Sequence, residues 1–182
     1  MEDSKLETVI DNYLESVCSD IKEMGGLNPQ ISFIADHIDP DEDTYAIVHV
    51  PIPPELMKTD ESKEFLLSNV LPKIIEKAQE KFVIMGVCFS SEAWVRKTVD
   101  KSNLPDNWKD LPIEKEVVII TVQTQKLDLT KIYDIDRTGK VINEEGDLID
   151  DITLTLNTDM SNDDKSSSGG VFSNLYHRYI KN

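Results

Sequence analysis

Residues 82 to 97 read FVIMGVCFSSEAWVRK, and the first eight carry no charged or strongly polar side chain. A strand with one face in water alternates apolar and polar residues; a run without alternation belongs to a strand covered on both faces. Phe82–Phe89 therefore marks the centre of the core, and the layers of the fold have to be built on either side of it. The run stops in Ser90, Ser91, Glu92 and Trp94, which read as a polar turn at the strand's end. Functional groups collect at strand ends in sheets with crossover helices, so this turn is the local candidate for chemistry.

Flanking elements follow from periodicity. Leu6, Val9, Ile10, Tyr13, Leu14, Val17, Ile21 and Met24 recur at helical spacing. Ser4 and Glu7 suit a capping box, and Gly25-Gly26 suits a left-handed helix end. Residues 30–38 and 44–52 read as two strands joined by Asp39-Pro40-Asp41-Glu42-Asp43, a hairpin, with Pro51, Pro53 and Pro54 closing the second strand. Residues 60–81 form an amphipathic helix that Pro72 must kink or split. A crossover through that helix predicts that strand 82–90 runs parallel to the strand around Tyr45–Val50. After an irregular loop over 98–114 come strands at Glu116–Thr124, Thr130–Asp136 and Ile149–Leu156, with a turn at Arg137–Lys140.

The expected fold class is α+β: a single domain, 1–157, holding a mixed β-sheet of five to six strands and two main helices. Residues 158–170, nearly free of apolar side chains, read as a flexible linker to a tethered C-terminal helix, 171–182. On that helix Phe172, Leu175, Tyr176, Tyr179 and Ile180 share one face. So short a helix is marginal alone and needs a surface to dock on, either its own domain or a partner's groove. These five residues are the expected partner-binding set.

Charge excludes several function classes. The chain of 182 residues has a formal net charge of −16, concentrated in residues 1–24, 36–43 and 134–165. No basic stripe exists to meet nucleic-acid phosphates, and an anionic membrane is disfavoured for the same reason. The longest apolar run, about eight residues, is far short of the roughly 20 that span a bilayer. An acidic start without an apolar h-region is not a secretory signal, so Cys18 and Cys88 read as reduced thiols in a cytoplasmic protein.

The catalytic candidate is Glu92, a possible general acid or base beside Ser90 and Ser91. No G-x-S-x-G elbow accompanies it, and no histidine is near in sequence to activate a serine. Asp36, Asp39, Asp41 and Asp43 lack the glycine and distal glutamate of a calcium loop, and His37 and His49 are not placed to meet. No metal and no cofactor is expected; the glycine pairs match no nucleotide-binding pattern.

One resemblance is carried by Ser91–Trp94 (SEAW), the loop prolines Pro105 and Pro112, Glu116–Ile120 (EVVII) and Phe172–Leu175 (FSNL). This arrangement resembles a group of small uncharacterised proteins of tailed phages and some bacteria. The resemblance implies an architecture and an origin without an activity. The resulting expectation is a non-enzymatic, phage-type accessory protein that binds a protein partner or itself, through the C-terminal helix. The alternatives are an acidic inhibitor or nucleic-acid mimic aimed at a basic groove of a host protein, and an enzyme centred on Glu92.

Overall fold

The computed structural model describes residues 2–37, 45–96, 111–160 and 175–180. Helix α1 (Glu2–Met24) leads into strands β1 (Gln30–His37) and β2 (Tyr45–Pro51). Helices α2 (Asp60–Phe65) and α3 (Leu71–Gln79) flank a π turn at Leu66–Val70. Strands β3 (Phe82–Arg96), β4 (Ile113–Thr124), β5 (Asp128–Ile142) and β6 (Leu148–Met160) follow, then α4 (Leu175–Tyr179). The strands form one six-stranded sheet in the order β2-β1-β3-β4-β5-β6.

The fold is α+β, and every neighbouring pair of strands is antiparallel. This corrects the mixed sheet expected from the crossover. β2 and β3 do run in the same direction, but β1 lies between them. The β1–β2 hairpin leaves one edge of β1 open, and β3 takes that edge rather than the far side of β2. The tip of this hairpin, Asp39–Asp43, is outside the described residues.

Two apolar clusters lie on opposite faces of the sheet. On one, α1 lays Ile10, Tyr13, Leu14, Val17 and Ile21 over Ile34, Cys88, Val118, Ile120, Val122 and Ile152. On the other, Leu66, Leu67, Leu71 and Ile75 cover Ile31, Phe33, Ile84, Val87 and Phe89, and Leu175 of α4 with Ile180 just beyond it completes this layer. Successive side chains of β1 and β3 therefore alternate between two cores. That is why β3 shows no alternation over its first eight residues.

Four strand and helix boundaries differ from expectation. β3 does not end at Ser90; it continues to Arg96, paired with β4 from Gly86↔Thr124 to Trp94↔Glu116. The SSEAW segment is strand, because β4 is long enough to pair with all of it. Arg137–Lys140 is likewise no turn. β5 passes through it with a bulge at Thr138, and the chain reverses later, at Asn143–Asp147. β6 runs to Met160, three residues into the expected linker, whose remainder (161–170) is outside the described residues. At the N-terminus α1 begins ahead of Ser4, so the expected capping box lies inside the helix.

Pro72 acts as foreseen, and its consequence reaches α4. The amide of Leu71 donates to the Leu66 carbonyl, five residues back, and residue 72 has no N–H to give. The Leu67 carbonyl thus lacks the α- and π-type donors that residues 71 and 72 would otherwise supply. The Tyr179 hydroxyl donates to it at 2.9 Å. Removing that hydroxyl alone, by Tyr179→Phe, is expected to lower stability by about 1–2 kcal/mol, the cost of orphaning a partly buried acceptor. Urea unfolding measures it; unchanged midpoints would mean that water satisfies the carbonyl equally well.

Candidate functional site

On the α1 face, β3 presents Cys88, Ser90, Glu92 and Trp94 in turn. Ser90 lies deepest. Its Oγ accepts the Tyr13 hydroxyl at 3.4 Å, and both residues are fully buried. Ser32, directly opposite Cys88 on β1, is 2.9 Å from His49 Nδ1 on β2, and the His49 ring stacks near Tyr13. These serines line the polar end of a pocket that admits a tyrosine into the core. Burial holds the Tyr13 phenol well above its ordinary value, with Cys88 adding to the effect. Burial likewise raises the Cys88 thiol, which leaves it an inert core residue.

Two residues further along, the chain leaves α1 and crosses the sheet. Gly25 has φ +72° and rests on β6; a Cβ there would lie 3.0 Å from Ile149 Cβ and 3.1 Å from the Asp150 amide. Only glycine meets both the left-handed backbone and the close approach. The Leu27 amide then donates to Glu92 Oε1 at 2.7 Å.

The other Glu92 oxygen meets Arg137, which lies on β5 rather than in the expected turn. The bulge at Thr138 sets the local twist of β5 here, and Arg137 becomes the centre of four elements. Its Nη2 donates to Glu92 Oε2 at 3.1 Å and its Nε to Glu116 Oε2 at 2.7 Å. Its Nη1 donates to the Gly25 carbonyl at 2.8 Å and to Asp150 Oδ2 at 3.2 Å. Lys140 also pairs with Asp150, and the Trp94 indole N–H reaches Glu116 Oε1 at 3.4 Å. The Glu116 hydrogen bond, with Glu92 and Asp150 beside it, raises the Arg137 pKa; the Asp150 carboxyl is lowered, by Lys140 first and Arg137 as well.

This arrangement holds geometry rather than offering a reactive group. Both Glu92 oxygens already accept strong hydrogen bonds. Ser91 faces the opposite side of the sheet, its Oγ donating to the Glu92 carbonyl, and Ser90 is committed to Tyr13. No described hydroxyl hydrogen-bonds the Glu92 carboxylate, so the nucleophile–base pair weighed from the sequence is not assembled. Among the described residues no group of three His, Cys, Asp or Glu side chains is placed to hold a metal ion. Glu92, Glu116 and Asp150 converge, but on a guanidinium. The signal that could have found Arg137 is its isolation: from 134 to 151 the chain holds two bases among seven acids.

The expected partner-binding helix is folded onto its own domain. Leu175 and Ile180 are buried beneath it, and Tyr176 and Tyr179 pack on the same cluster. The Tyr176 amide donates to Gln123 Oε1 at 3.2 Å, and Tyr179 reaches Leu67 as described. Phe172 is outside the described residues. These four side chains therefore make intramolecular contacts, and a partner could use them only by displacing α4.

Exposed apolar side chains lie elsewhere. The β5–β6 hairpin extends past the last β4 pairing, Glu116↔Ile135, as a two-stranded arm closed by Asn143–Asp147. Near its tip Ile142 and Leu148 face each other across the strands, 71% and 68% exposed. Val141 and, on β3, Trp94 are exposed as well. No described helix is long and apolar enough to cross a membrane. Compared with family models, curated proteins and solved structures, the chain gives no match in any of the three.

Proposed function

We propose that the chain is a non-enzymatic protein that acts by docking onto another protein, and that the β5–β6 arm is its docking element. The observation that carries this reading is the exposed Ile142–Leu148 pair at the end of an arm anchored by Arg137. Paired aliphatic side chains on a two-stranded extension lose hydration only when something covers them. The arm takes the role expected of the C-terminal helix, because the apolar face of α4 already has a surface. The alternative of an acidic inhibitor seated in a basic groove is a version of the same docking, led by the acids of the turn.

A photo-crosslinking residue at position 142 of the full chain tests this in cell extract. The expected result is a discrete crosslinked protein that disappears with Leu148→Asp, while the melting temperature is unchanged because both positions are exposed. Crosslinks arising instead from position 176, and lost on removal of residues 161–182, would return docking to the tail. The enzyme reading has its own test in Glu92→Gln. A substrate whose turnover falls in that variant, with stability intact, would replace the docking reading.

A further inference from the structure

We propose that the arm's tip recognises an apolar groove rimmed by lysine and arginine on a partner protein; this deepens the docking reading above and rests on it. Ile142 and Leu148 are directly opposed, so their side chains share a face and form one aliphatic lip. Beyond the lip the turn contributes Glu144, Glu145 and Asp147 and no base. None of these three carboxylates pairs with a described residue, and the nearest base, Lys140, is engaged by Asp150. An apolar centre with a one-signed polar border is the usual anatomy of a recognition surface, and here the border is acidic.

The turn is also rigid before any partner arrives. The Asn143 amide donates to the Asp147 carbonyl at 2.9 Å and the Gly146 amide to the Asn143 carbonyl at 3.0 Å. Asn143 Oδ1 accepts the Asp147 amide at 2.8 Å, and Gly146, at φ +91°, supplies the left-handed residue that such a turn needs. A preorganised tip loses little conformational freedom on binding.

Charge selects the occupant. A second copy would bring its own acidic tip and a net charge of −16 toward the first. An anionic bilayer or a nucleic acid would meet three carboxylates that have no partner among the described residues. A protein groove whose rim is basic matches both the lip and its border.

The test needs no knowledge of the natural partner. A displayed random-peptide library is selected against the full chain, and the best peptides are synthesised as probes. The expected peptides place Lys or Arg on either side of Leu, Ile, Met or Phe. Ile142→Asp with Leu148→Asp should weaken them at least about tenfold at an unchanged melting temperature, as for the loss of a central apolar anchor. Glu144→Gln, Glu145→Gln and Asp147→Asn together should weaken them about five- to twentyfold in about 50 mM salt, with the difference gone near about 500 mM. Peptides that need the lip but carry no basic bias, and ignore the triple variant, would overturn the basic rim and leave docking by the arm standing. Peptides that ignore both variants, or failure to select any, would overturn the arm itself. Self-association abolished by Ile142→Asp would replace the basic groove with a second copy.

Discussion

Replacing Leu175 and Ile180 together by alanine is expected to destabilise the protein by about 3–5 kcal/mol. Each side chain is almost fully buried in the cluster formed with the π turn, α3 and the central strands. Truncating one such residue costs roughly 2–5 kcal/mol when the surroundings cannot close the gap. The sum is limited here because α4 has five residues and can detach; the loss cannot exceed the free energy of docking. Chemical denaturation gives the total. Hydrogen exchange gives the location: amides of the π turn and α3 should lose protection before those of β4 and β5. A loss below about 1 kcal/mol would show that α4 contributes little to the fold, and would restore Leu175, Tyr176, Tyr179 and Ile180 as candidates for a partner's groove.

Arg137→Met is expected to cost about 2–3 kcal/mol at neutral pH. Removing one member of a fully buried ionic network typically costs about 3–5 kcal/mol, because the opposite charges are stranded. The groups here are roughly a quarter to a third exposed, so water screens part of that penalty. The variant leaves Glu92, Glu116 and Asp150 facing a methionine and removes a donor from the Gly25 carbonyl. The pH dependence has a defined sign. The folded-state pKa of Asp150 is depressed below 3.8 by Lys140 and Arg137. Its ionised form is therefore stabilised by folding. That contribution is complete above the unfolded pKa and is lost as pH falls through the lower folded value. Arg137→Met forfeits part of it, so the stability difference from the parent should narrow as pH drops below about 4. A gap that widens with acid would mean that the arm is held by something other than these pairs.

Local patterns in the chain were enough to find most elements, and the failures share a cause. The helical spacing of Leu6 to Met24 located α1, Gly25 ended it in the left-handed conformation, and Pro72 marked the break between α2 and α3. The unbroken run 82–89 correctly required a strand with a core on each side. Ser90 and Glu92 misled because polar residues after an apolar run look like a turn. In the fold they are strand residues whose partners come from far away: Tyr13 is 77 positions from Ser90, and Arg137 is 45 from Glu92. The same holds for the sheet order. Nothing local tells β3 to pair with β1 rather than β2. Arg137 was hidden because a bulge and a turn use similar residues, and Thr138-Gly139 serves either. The tail helix was found, but whether its apolar face meets its own domain depends on an orphan carbonyl at Leu67, which only the π geometry reveals.

The position of α1 has a consequence for synthesis. Its apolar stripe is made first, yet its cover includes Val118, Ile120 and Val122 of β4 and Ile152 of β6. At about 5–20 residues per second, roughly 130 residues must follow before that cover exists, a delay on the order of 10 s. During that interval Ile10, Leu14, Val17 and Ile21 have only the β1, β2 and β3 portions of their final surroundings, and for part of it not even those. The nascent chain thus carries α1 with its apolar stripe incompletely covered through that interval. Moving α1 behind β6 by circular permutation would shorten the wait, and the permuted chain should aggregate less during expression at equal final stability.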